Sequence, residues 1–198
     1  MRIFRLLTSL TLLACIIPVQ AQDATVTLVG HVVSLTEFGR MHVLMDSPAP
    51  GVTVTLTCQG KTWQAEVGMD GDFTMEGVLP GIASVSVEKK GSYGDLSEEI
   101  VLSPGMHFMY LNLKTKTVIN GTSVEVSLDQ ICTDKAEELI LETPMTLSMG
   151  GRWLSGLKAL PGVTISSGKA IDERLSFSAE SFRWAMKGEV VLITPAGK

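Results

Sequence analysis

The chain has 198 residues, 45% of them hydrophobic, with 16 basic against 21 acidic side chains and a net charge of −5. That balance excludes a nucleic-acid-binding face, which needs clustered Lys and Arg, while the apolar fraction suffices for one or two packed cores. Beyond residue 21 no stretch is long and apolar enough for a membrane-spanning helix, and a transmembrane barrel of at least about eight strands of about ten residues each does not fit beside the elements below.

Met1-Arg2-Ile3-Phe4-Arg5 is a short basic start, residues 6–19 are mostly apolar, and Val19-Gln20-Ala21 places small residues where a signal peptidase cuts. An export signal is expected over residues 1–21, with the protein in the periplasm or associated with the outer membrane. Cleavage would remove Arg2 and Arg5 and leave 14 basic and 21 acidic residues, a net charge of −7. Leu12-Leu13-Ala14-Cys15 offers a lipoprotein alternative with Cys15 lipidated, but Ile16-Ile17-Pro18-Val19 continues the apolar run where a polar tether belongs.

Residues 22–115 read as an antiparallel β-sandwich. Strand patterns cover residues 25–33, 52–58, 61–67, 72–75, 83–89, 96–102 and 106–113. Gly and Pro turns separate them at the short, even spacing of a sandwich. Gln59-Gly60 is a tight-hairpin signal between the second and third. Val52, Val54, Leu56 and Cys58 share one side of their strand, with Thr53, Thr55 and Thr57 on the other. Cys58 is therefore expected to be a small buried hydrophobe. Together with Cys132 it makes no disulfide framework, although a bridge between the two is open in an oxidising compartment.

Gly30-His31-Val32, the proline turn into residues 50–56, Asp70-Gly71-Asp72-Phe73, Leu79-Pro80-Gly81 and Gly91-Ser92-Tyr93 follow one another in an order that resembles the carboxypeptidase regulatory-like domain. The resemblance implies a transthyretin-type (prealbumin-like) sandwich of six or seven strands without catalytic residues. The Thr-Asp usual before the glycine turn is replaced by Val67-Gly68.

Residues 116–198 read as a small α/β unit. Strands are expected at 123–127, 163–166 and 189–194. Helices are expected at 134–141 and 147–160, and a third at 179–186 capped by Ser178. Leu157-Lys158-Ala159-Leu160-Pro161-Gly162-Val163-Thr164-Ile165, Lys169-Ala170-Ile171-Asp172 and Gly188-Glu189-Val190-Val191-Leu192-Ile193-Thr194 resemble a reduced plug domain of TonB-dependent outer-membrane receptors. In the starch-utilisation receptors of Bacteroidota a regulatory-like domain precedes such a plug, in the same order as here. The Arg-Gly-rich middle of a plug and the barrel it fills are missing.

No catalytic, metal or cofactor residue is expected. His31, His42 and His107 lack metal-ligand spacing, and His31, alternating with Val32, is expected to face solvent. Asp70 and Asp72 flank Gly71 as a turn rather than a calcium loop, which needs more oxygen ligands. Ser155 and Ser178 lack an elbow motif and a His/Asp set, and Glu137-Glu138 reads as a solvated face. Trp63, Arg40 and His42 are the candidate ligand contacts; Trp63 reads first as core or edge packing, with a stacking platform beside a loop at residues 40–50 as the alternative. The expected function is an exported, non-enzymatic accessory or protein-docking module of TonB-dependent uptake. Its partner would be an outer-membrane barrel or another envelope protein. The alternative is a glycan- or peptide-binding sandwich.

Overall fold

The computed structural model describes residues 24–38, 43–88, 93, 95–113, 116–119, 122–125, 138–144, 151–167, 172–187 and 189–197. The export signal expected at 1–21 lies outside them, as do Cys132 and Glu137. Strands come first: β1 (Val26–Phe38), β2 (Val43–Pro48), β3 (Thr53–Cys58), β4 (Lys61–Glu66), β5 (Asp72–Val78), β6 (Gly81–Val87), β7 (Leu96–Leu102) and β8 (Gly105–Leu113). Then follow β9 (Lys116–Ile119), β10 (Thr122–Glu125), β11 (Glu138–Pro144), α1 (Arg152–Lys158), β12 (Val163–Ser167), β13 (Asp172–Ser178), β14 (Phe182–Lys187) and β15 (Val190–Pro195).

All seven strand patterns read in residues 22–115 form strands, and β2 is added to them. Local chemistry explains the precision. Gln59 and Gly60 both take positive φ, 50° and 76°, which closes β3 onto β4 in the mirror-image turn that matches strand twist. At the other tight turn Gly71 takes φ 86°, and Oδ1 of Asp70 accepts the Asp72 N–H at 3.2 Å.

Two sheets face each other as a sandwich. One has the order β4-β3-β6-β7. The other runs β14-β15-β8-β1-β2, with β5 also pairing β1. β5 and β2 use different lengths of the long strand β1, opposite residues 26–31 and 33–38 respectively. Ladders in both sheets are antiparallel except β1 with β8, which is parallel. An expectation of antiparallel pairing throughout therefore fails at this one central pair. β8 arrives from the opposite sheet rather than by a hairpin, and only such a crossover permits parallel pairing.

The β8–β15 pair explains the apolar runs in the sequence. Met109, Leu111 and Leu113 of β8 and Val190 and Leu192 of β15 pack into the core between the two sheets. Phe108, Tyr110, Val191 and Ile193, which alternate with them, pack into a second core. That core lies against the other face of the same sheet, under Leu139 and Leu141 of β11, Leu175 and Phe177 of β13, and Trp153, Leu154 and Leu157 of α1. A strand buried on both faces reads as a continuous apolar run, without polar alternation. β11, β13 and β12 form a separate three-stranded antiparallel sheet.

The α/β reading of residues 116–198 is corrected here. Among the described residues only one of the three expected helices forms, α1, with seven residues. The helix expected at 134–141 is strand over its described part, because Leu139 and Leu141 bury on alternate positions. The helix expected at 179–186 is a turn followed by β14. Ser178 ends β13 rather than capping a helix, and Ser181 N–H bonds back to its carbonyl at 3.2 Å. Phe182, Trp184 and Met186 line one side of β14 against the second core. Over so short a run, i and i+4 fit both a helix face and every second strand residue.

Candidate functional site

The structure gathers polar chemistry at a place the sequence reading did not find. His31 sits mid-β1 opposite Asp72 of β5 and Tyr110 of β8. It is 1% exposed, which corrects the expectation that it faces solvent. Alternation assigns a solvent side only when one face of a sheet is open, and this sheet is covered on both.

Nδ1 of His31 lies 2.6 Å from Oδ1 of Asp72. A carboxylate oxygen accepts, so the ring donates from Nδ1. Oδ2 of Asp72 accepts the backbone N–H of Trp153 at 2.7 Å. The N-cap of α1 is Gly151, which offers no side chain, so a carboxylate borrowed from β5 satisfies one of the free N–H groups of the helix start. The Trp153 indole stacks on His31 with ring centroids 5.2 Å apart at 25°. Asp72 thus fastens β1, β5 and α1 at one point. Gly71 is required beside it, since a Cβ there meets His31 Cε1 and Val32 O at 3.0 Å.

Nε2 of His31 is buried without a hydrogen-bond partner among the described residues, and Asp72 is committed to two structural bonds. His107 is similarly engaged. Its Nε2 donates to Ser103 O at 2.6 Å, and its Nδ1 lies 2.6 Å from Thr194 Oγ1. Ser155 is exposed on α1, and Ser178 donates to Ser181 Oγ at 3.2 Å. Among the described residues no three His, Cys, Asp or Glu side chains cluster as metal ligands. Cys58 is the buried thiol expected, with Sγ 3.4 Å from Ile82 O.

Of the three candidate ligand contacts, Arg40 and His42 lie outside the described residues. Trp63 pairs with Leu56 across β3–β4 and therefore shares its inward side. It is half-buried and packs against the first core at the edge strand β4.

The surface feature is at the opposite side of the sandwich. β7 is the last strand of its sheet and β14 the last of the other. Where they run together, Ile82, Glu99, Ile100, Val101, Ala185 and Met186 line a groove of about 270 Å³. Ile82 and Val101 are directly paired across β6–β7 and are 70% and 71% exposed. On β7, Glu98 lies on the inward side with Leu96 and Ile100, and Glu99 on the outward side with Val101. Among the described residues neither acid forms an ion pair.

No protein-family model matches the chain, and no curated protein matches it. Among solved structures it is similar to a DUF3823 family protein from Parabacteroides merdae, at 15% identity over 87% of this chain and 81% of that one, with a TM-score of 0.34. A second DUF3823 family protein, from Bacteroides ovatus, matches at 9% identity over 60% and 54% of the two chains, TM-score 0.34. A Bacteroides uniformis protein provisionally described as carbohydrate binding matches at 12% identity over 60% and 51%, TM-score 0.35. The matched part spans about half the length of the latter two proteins. Likeness at this level speaks to neither ligand nor activity.

Proposed function

We propose that the chain is an exported, non-enzymatic docking module that holds another envelope protein by strand addition, in the setting of TonB-dependent outer-membrane uptake. The observation that carries this reading is the open side of the sandwich. Two sheets end together in β7 and β14, each without a further partner among the described residues, beside a groove with exposed apolar walls. An exposed sheet edge supplies a row of backbone N–H and C=O groups, and a flanking groove supplies side-chain selectivity. The setting is supported by the resemblance of residues 157–165 and 188–194 to segments of a receptor plug, behind a regulatory-like module at 22–115.

The test is affinity purification of the tagged chain from envelopes of a Bacteroidota host, followed by crosslinking and mass spectrometry. The expected result is an outer-membrane barrel or another envelope protein crosslinked to the sandwich. Recovery of the chain alone, or turnover on ester or peptide libraries, overturns the reading.

A further inference from the structure

We infer that the β7 edge is the docking strand and that its ligand is an extended segment carrying two apolar residues followed by two basic ones. This rests on the docking reading and gives it a site and a partner chemistry. β7 reads Leu96-Ser97-Glu98-Glu99-Ile100-Val101-Leu102, and its only ladder among the described residues is to β6. A strand added antiparallel extends the four-stranded sheet and meets Val101, Ile100, Glu99 and Glu98 in that order along its own direction. Residues directly opposite share a face. The first two positions of the ligand therefore face Val101, whose outward side is exposed beside Ile82, and Ile100, which lines the groove with Ala185 and Met186. The next two face Glu99 and Glu98, one acid on each side of the sheet.

The same pair of acids argues against a second copy of this chain as the occupant. The fully overlapped antiparallel self-pairing of Leu96–Leu102 centres on Glu99 and sets it against its own copy. Sliding the strands by one residue each centres the pairing on Glu98 and does the same there. Like charges directly opposite are destabilising, and an inward-pointing charge on an edge strand is a recognised guard against self-pairing. Two acids without ion partners among the described residues are neutralised by a basic strand and repelled by an acidic one. The acidic balance of the whole chain, 21 acids to 16 bases, acts in the same direction.

The probe is a fluorescein-labelled peptide with a central Val-Ile-Lys-Lys, titrated into the full chain and read by anisotropy, against a Val-Ile-Glu-Glu control. The lysine peptide is expected to bind at least about tenfold more tightly than the control, and to weaken as salt screens the charges. The double variant Glu98→Lys, Glu99→Lys is expected to reverse the preference between the two peptides. Glu99 is exposed and Glu98 half-buried on the edge strand, and far-UV circular dichroism checks that the variant keeps the fold. Hydrogen exchange with bound peptide is expected to slow at β7. Equal binding of the two peptides, or protection at another edge such as β4, overturns the assignment to β7 and leaves the docking reading standing. Self-association of the chain that the lysine peptide does not compete away also overturns it. Failure of every peptide together with failure to recover an envelope partner removes both.

Discussion

Single positions carry the strain and the satisfaction of this fold. Asp72 accepts from His31 and from the start of α1, so Asp72→Ala strands two buried donors at once. An unsatisfied buried donor costs about 1–3 kcal/mol, which gives an expected loss of roughly 2–6 kcal/mol, measurable as a shift in the urea midpoint. A change below about 0.5 kcal/mol would mean the fastening is superfluous. Gly30 lies opposite Phe73, whose ring atoms stand 2.0 Å from where a Cβ would be. Gly30→Ala is expected to cost about 1–3 kcal/mol through overpacking, and Phe73→Leu should recover part of that in a double-mutant cycle. Strict additivity of the two changes would deny the contact. Asn112 is fully buried, and neither atom of its side-chain amide has a partner among the described residues. Asn112→Leu is nearly isosteric and removes two uncompensated polar groups, so it is expected to leave stability unchanged or raise it by about 1 kcal/mol. A loss of 2 kcal/mol or more would show that the amide is satisfied in solution.

At the scale of elements, β15 belongs to both cores at once. Val190 and Leu192 face the sandwich, while Val191 and Ile193 face the layer beneath α1. Fully burying such side chains is worth about 1.5–3 kcal/mol each, or roughly 6–12 kcal/mol for the four. That equals the whole net stability of an ordinary domain, about 5–15 kcal/mol. Deleting residues 188–198 is therefore expected to unfold the sandwich as well as the last segment, with loss of the β-sheet circular dichroism signal. Survival of a folded sandwich after the deletion would contradict this. The elements also show where patterns mislead. Met106 to Leu113 and Val190 to Ile193 read as strands because short, largely apolar runs between turns, the second rich in β-branched residues, suit a strand buried on both faces. Phe182 and Met186, four residues apart, fitted a helix face as well as one side of a strand, and only the free pairing edge of β15 made the segment a strand.

At the scale of the molecule, the central sheet is the shared wall of two cores, and the Asp72 bonds cross it to α1. Such an arrangement predicts one cooperative transition. In a variant carrying Trp63→Phe and Trp184→Phe, Trp153 reports on the second core. Its fluorescence and the far-UV circular dichroism are expected to change at the same denaturant concentration. Two separated midpoints would show that the halves unfold independently.

What the sequence determined by itself was local: seven strands of the sandwich, the Gln59-Gly60 and Asp70-Gly71 turns and the inward side of Cys58. Each follows from the two-residue period of a strand or from a backbone angle that few residues tolerate. The same reading put His31 in solvent. Only the tertiary structure decided that both faces of the β8–β15 sheet are covered, that His31 is bonded and buried, and that β7 and β14 end side by side. Those outcomes depend on pairings between strands up to 87 positions apart, such as the one that brings His107 to Thr194, and no local pattern encodes which distant edge a strand will meet.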